Sequence, residues 1–177
     1  MGISVDMFVK TYKANSKAKD KTFEEFINKH ITTQYVPFIT KNVICDGIVS
    51  ACCYIKEGDR EIVKIDSPSR YLFFVTKMIE TYTDIDFNIT EENNLAVIYD
   101  KLNEIGAVDV LIAAMPEREY AEFSTILNMK MDDFRDNVYS PTALGYNLKK
   151  SVALSDEVIT SALTSPELKK FLEEASN

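Results

Sequence analysis

Apolar residues recur at intervals of three and four along most of the chain, the spacing that lays one helix face on a core. Val5, Phe8, Val9 and Tyr12 mark a first helix over residues 4–13, and the polar, lysine-rich stretch from Asn15 to Lys21 reads as a linker. Thr22 and Glu25 form a capping box, in which each side chain satisfies the other's backbone N–H. It opens a helix whose stripe is Phe23, Phe26, Ile27, His30 and Ile31. Pro37 breaks that pattern, and a third helix runs to about Cys53 with Ile39, Val43, Ile44, Gly47, Ile48 and Ala51 expected inward. Tyr54–Glu57 and Arg60–Ile65 flank Gly58-Asp59, a pair suited to the positive φ of a tight hairpin turn.

Three Ser-Pro pairs punctuate the chain: Ser67-Pro68, Ser140-Pro141 and Ser165-Pro166. Serine caps an orphan backbone N–H and proline suits the first helical turn, so the first and third pairs predict helix starts. Residues 69–82, rich in Tyr71, Leu72, Phe74, Val75, Met78, Ile79 and Tyr82, read as the central core helix. Thr83 to Ile89 alternates weakly, as a short strand or an extended loop. A helix over 91–105 ends at Gly106, the residue that best tolerates a left-handed C-cap. Val108 to Met115 is short and almost wholly apolar. Pro116 then begins a long amphipathic helix with Tyr120, Phe123, Ile126, Leu127, Met131 and Phe134 on its buried face. Residues 141–163 keep a thinner helical pattern, and 166–175 form a terminal helix capped by Ser165. The pattern predicts a mainly α protein: one compact domain of about seven helices, a small β-hairpin near residues 54–65 and a looser C-terminal helical arm. The expected divisions are 1–21 (helix and linker), 22–136 (helical core) and 137–177 (arm).

With 177 residues, 46% of them hydrophobic, the chain can bury a real core. The longest apolar run, Val43 to Ile55, is shorter than the roughly 18 residues needed to cross a bilayer and carries Asp46. The first residues lack a secretory layout, and Asp6 stands where a myristoylation signal wants Ser or Thr. No membrane partner is expected, and the site of synthesis is expected to be cytoplasmic. Cys45, Cys52 and Cys53 are odd in number and crowded together, which fits buried core thiols in a reducing compartment better than disulfides or zinc.

The net charge of −8 is uneven: residues 1–30 hold six lysines against four acids, whereas 84–136 hold thirteen acids against four basic residues. With only four arginines in all, the chain has no basic stripe for phosphates, so direct nucleic-acid binding is not expected. Phe73, Phe74, Phe123 and Phe134 fall within helical apolar runs and are read as core, not as base-stacking platforms.

The residues offer little chemistry. His30, the single histidine, lies on an apolar stripe near a helix end and has no nucleophile motif beside it, which marks it as structural. The five glycines stand alone, so there is no phosphate loop. Asp84-x-Asp86-x-Asn88 resembles the opening of a calcium loop, but Ile89 replaces the turn glycine and Leu95 the closing glutamate. Asp132, Asp133 and Asp136 read as a solvated helix end, and Glu117-Arg118-Glu119 as acids complementing a helix dipole. No catalytic, cofactor-binding or metal-ligating residue is therefore expected. Asp84, Asp86, Glu117, Glu119, Asp132, Asp133 and Asp136 are the expected contacts for a protein partner.

Tyr35-Val36-Pro37-Phe38, Ser67-Pro68-Ser69-Arg70-Tyr71, Tyr82-Thr83-Asp84-Ile85-Asp86 and Pro116-Glu117-Arg118-Glu119-Tyr120 occur in that order. In order and spacing they resemble small helical proteins of tailed phages and prophages of low-GC Gram-positive bacteria, over roughly residues 5–140. The resemblance implies a phage protein of the virion or its assembly, made in the host cytoplasm and, as a component, incorporated in the particle. It transfers no functional residue. The resulting expectation is a non-enzymatic protein that contacts other virion proteins or itself. The alternative is an acidic inhibitor that occupies the basic groove of a host defence or nucleic-acid-binding protein. A small carboxylate enzyme with a bound metal ranks last.

Overall fold

A computed structural model describes residues 2–17, 21–57, 60–63 and 65–139, with the side chains of 55–63, 138 and 139 left aside. The described chain is mainly helical, as the periodicity predicts. In order it forms β1 (Ile3–Ser4), α1 (Val5–Asn15), α2 (Lys21–His30), α3 (Phe38–Cys53), β2 (Tyr54–Glu57), β3 (Arg60–Val63), α4 (Ser67–Tyr82), β4 (Ile85–Asp86), α5 (Leu95–Glu104), α6 (Ala107–Ala114) and α7 (Glu117–Tyr139). Met1–Met131 make one compact unit and Asp132–Asn177 a second, of which the end of α7 is described. The expected helices over 141–163 and 166–175, and the Ser140-Pro141 and Ser165-Pro166 starts, lie outside the described residues.

In the first unit α4 is the central element, packing against α3, α5 and α6. Its apolar positions Phe74, Val75, Met78, Ile79 and Tyr82 are buried, as expected of a core helix. The start of α4 corrects one expectation: the N-cap is Asp66, and Ser67 is already helical. The Asp66 carboxylate accepts from the Ser69 N–H at 3.1 Å and from Ser69 Oγ at 2.9 Å, and Asp caps as well as Ser does. Asp66→Ala should therefore cost about 1 kcal/mol in urea unfolding, with Ser67→Ala within a few tenths of wild type.

The division expected at residue 22 does not separate α1 from the core. Ser4 caps α1 by accepting from the Met7 N–H at 3.4 Å, and Val5, Phe8 and Tyr12 are buried. The Phe8 ring stacks on Phe26 with centroids 5.7 Å apart and meets His30 edge-on at 5.2 Å. The start of the chain is held by two-residue strands: β1 pairs parallel with β4, Ile3 opposite Ile85 and Ser4 opposite Asp86. Of the stretch from Thr83 to Ile89, Ile85–Asp86 is the strand. The hairpin forms where expected, β2 antiparallel to β3 with Tyr54 opposite Val63 and Glu57 opposite Arg60. Its Gly58-Asp59 turn lies outside the described residues.

Gly106 adopts φ +71°, the left-handed region, and so joins α5 directly to α6. Along α7, Phe123, Ile126, Leu127, Met131 and Phe134 are buried as their spacing predicts, while Tyr120 is half-buried.

The face of α3 is the largest departure. Of the residues expected inward, Ile48 is buried and Ile44 half-buried, but Ile39 is 76% exposed and Val43 62%. Lys41 points inward in their place, on the same side as Ile48 and the three cysteines Cys45, Cys52 and Cys53, whose burial is expected. The helix is apolar nearly all round, so periodicity alone cannot choose its face. Burial of Lys41 chooses it.

Candidate functional site

Lys41 sits one turn into α3, its backbone N–H bonded to the carbonyl of Pro37 at 3.1 Å and its side chain fully buried. A buried ammonium is costly unless each of its donors finds a partner. Lys41 Nζ donates to Glu119 Oε1 at 2.9 Å and to Glu122 Oε2 at 2.6 Å. The rings of Tyr35 and Phe123 lie over it, 5.3 Å and 5.8 Å from their centroids, where their π faces attract a cation. Glu119 is only 4% exposed. Its second oxygen accepts from the Val36 N–H at 2.9 Å and from the Tyr82 hydroxyl at 2.6 Å. One carboxylate thus ties together the segment before α3, the end of α4 and the start of α7.

The electrostatics follow from that geometry. Burial pushes the Glu119 carboxyl up, but bonds from Tyr82, Lys41 and Val36 outweigh it and hold the group below its ordinary value. Burial pulls Lys41 down, yet Glu122 and Glu119 hold it above the usual lysine range. Burial, reinforced by Glu119, pushes the Tyr82 phenol up. At neutral pH the group is ammonium, carboxylate and neutral phenol, each committed to a partner. A general base needs a lone pair presented to a substrate. Both Glu119 oxygens are already occupied, so the arrangement acts as a structural clamp.

His30 is buried, with Nδ1 2.7 Å from Asp84 Oδ1 and its ring edge-on to Phe26 at 4.9 Å. The same two residues are joined through the backbone, the Asp84 N–H donating to the His30 carbonyl at 3.2 Å. This is the structural histidine that the apolar stripe predicts. The cysteines are buried free thiols. Cys52 Sγ lies 3.6 Å from Cys53 Sγ, which lies 3.9 Å from Met131 Sδ. Burial pushes the Cys45 thiol up to about 11 and raises Cys52 and Cys53 as well, which keeps them from acting as thiolate nucleophiles.

The seven acids expected at a partner surface meet different fates. Glu119 is not a surface group, because the clamp buries it. Asp84 is held by His30, and the exposed Asp86 accepts from the Asn88 N–H at 3.1 Å in a local turn, with Asn88 at φ 39°. Glu117 is exposed in the first turn of α7. Asp132, Asp133 and Asp136 are exposed in the second unit, where Asp132 pairs with Arg135 at 3.1 Å. Among the described residues, no group of three His, Cys, Asp or Glu side chains is placed to hold a metal ion. No described helix is long and apolar enough to cross a membrane.

The most unusual surface is apolar. Ile39, Val43, Gly47 and Ala51 form an i, i+4 row along the solvent side of α3. The row runs into a groove of about 500 Å³ lined by Ile44, Gly47, Ile48, Ala51, Phe73 and Leu95, with Lys77, Glu80 and Thr81 also on its wall. Lys77 and Glu80 neutralise each other at 2.5 Å, as do Asp46 and Lys130. Solvent-facing helices ordinarily carry several charges on that side, and α3 carries Asp46 alone. Gly47 sharpens the anomaly: a Cβ built there meets nothing within 4 Å, and its φ is ordinary. The fold of the single chain has no use for a helix-weakening glycine at this place. Gly47→Ala should raise stability by about 0.5–1 kcal/mol in urea unfolding.

Comparison with protein-family models, with curated proteins and with solved structures finds no match for this chain.

Proposed function

We propose that this protein works by protein–protein contact, as a non-enzymatic component of a phage virion or as a factor in its assembly. The observation that carries the contact is the uncharged row on α3 with its adjoining groove, an apolar surface of the kind that marks interaction sites on monomers. The phage setting rests on the order of the four segments from Tyr35-Val36-Pro37-Phe38 to Pro116-Glu117-Arg118-Glu119-Tyr120. The most deeply buried ion pair among the described residues, Lys41 with Glu119, holds the fold and leaves the surface to shape and apolar area.

Mass spectrometry of purified particles tests the component reading, and deletion of the gene tests the assembly reading. A constant ratio of this chain to the capsid proteins, or a fall in particle yield with stalled intermediates, is the expected result. Val43→Glu should reproduce the deletion, and Glu117→Gln should not. Absence from particles together with normal yield after deletion sinks the proposal.

A further inference from the structure

From the α3 row we infer that its occupant is a second copy of this chain, docked antiparallel through the same row. The inference rests on the reading that this face is the working surface. The row runs from two bulky residues, Ile39 and Val43, to two small ones, Gly47 and Ala51, an order that is self-complementary when reversed. In an antiparallel pair with its two-fold axis beside residue 45, Val43 of each copy faces Gly47 of the other, and Ile39 faces Ala51. Each bulky side chain thus meets a small residue, and each small residue opens onto the groove floored by Ile44 and Ile48 and walled by Phe73 and Leu95. Rows of i±4 residues that interdigitate cross at about −50°, which concentrates contact on the central Val43–Gly47 pair. The open space above the Gly47 Cβ position is then the space that the partner helix takes.

Charge points the same way. The chain carries −8, so two copies repel over most orientations. The α3 face escapes this, because its bordering charges are internally paired: Asp46 with Lys130 and Lys77 with Glu80. A basic partner would find no unpaired acid on the row to recognise, whereas an identical neutral face meets no like charge there.

The test is sedimentation equilibrium of the full chain, with thermal unfolding run in parallel to confirm folding. The wild type should be a reversible dimer, with dissociation constants at least tenfold weaker for Gly47→Leu and Val43→Glu. Gly47→Leu introduces no cavity, polar burial or backbone strain, so it separates loss of docking from loss of fold. Register is read by mixing Val43→Cys with Gly47→Cys under mild oxidation, since the native cysteines are all buried. The mixed disulfide should exceed either homodimeric product. A wild type that stays monomeric, a dimer indifferent to both α3 substitutions, or preferred Val43→Cys homodimers would each overturn the inference. A monomer whose Val43→Glu variant still loses particles refutes self-docking but leaves the proposed function standing. Normal particles from that variant count against the function itself.

Discussion

Glu119→Ala should lower the unfolding free energy by about 3–5 kcal/mol, the loss typical when one member of a buried ion pair is removed. The substitution strands three donors at once: the Val36 N–H, the Tyr82 hydroxyl and one Lys41 proton. Lys41 keeps Glu122 at 2.6 Å, but that carboxylate is more than a third exposed and cannot replace the buried partner. For a chain of this size the fall corresponds to a drop in Tm of about 10 °C. Glu117→Ala, two residues earlier and exposed, should stay within about 0.5 kcal/mol of wild type. Equal losses at the two positions would refute the clamp.

The clamp also sets a pH window. Because the folded Glu119 carboxyl lies below its ordinary value, its stabilisation is complete above the usual glutamate range and disappears as pH falls through the folded value. Lys41, held above the usual lysine range, stabilises fully below it and loses that contribution only as pH rises through its own folded value. Urea unfolding against pH should therefore show the difference between wild type and Glu119→Gln narrowing below about pH 4, where a protonated glutamate resembles the amide.

Phe8→Ala should cost about 3–5 kcal/mol, the range for deleting a large aromatic from a packed core. Phe8 is fully buried, against Tyr12 at 5.9 Å and Phe26 at 5.7 Å, with the His30 ring edge-on. The cost arises from a cavity and from stranding the imidazole against empty space. Unfolding should remain a single transition by circular dichroism and by tyrosine fluorescence, because α1 belongs to the same compact unit as α4. An early, separate transition for the variant, or a cost under 1 kcal/mol, would restore the independent N-terminal segment that the lysine-rich linker implies.

The sequence disclosed most helices because each is written locally. Four-residue spacing placed α4 and α7, Gly106 marked the end of α5, and Gly58-Asp59 announced the hairpin between β2 and β3. The failures share one cause: information carried by distant residues. β1 and β4 are two residues each and separated by 80 positions, too short for any alternation to show. The outward side of α3 is not legible because apolar residues nearly surround the helix; Ile48 and the cysteines are inward as expected, but nothing local announces the burial of Lys41. Its partner Glu119 is 78 residues away and looks locally like an ordinary first-turn acid. The surface that carries the proposed function is likewise indistinguishable from core in the sequence. Its residues have the composition of an interior, and sequence does not distinguish an interior completed by the chain from one completed by a second molecule.

The parallel pairing of Ile3–Ser4 with Ile85–Asp86 has a consequence for biogenesis. At the usual rates of about 5–20 residues per second, roughly 4–16 s of synthesis separate the two strands. Until Asp84 emerges to accept from the Ile3 N–H, the first helix lacks its strand anchor and has only the neighbouring helix to cover its aromatic side. The nascent protein therefore passes through an interval in which chaperone capture competes with docking, and slowing translation before residue 86 should lengthen that exposure.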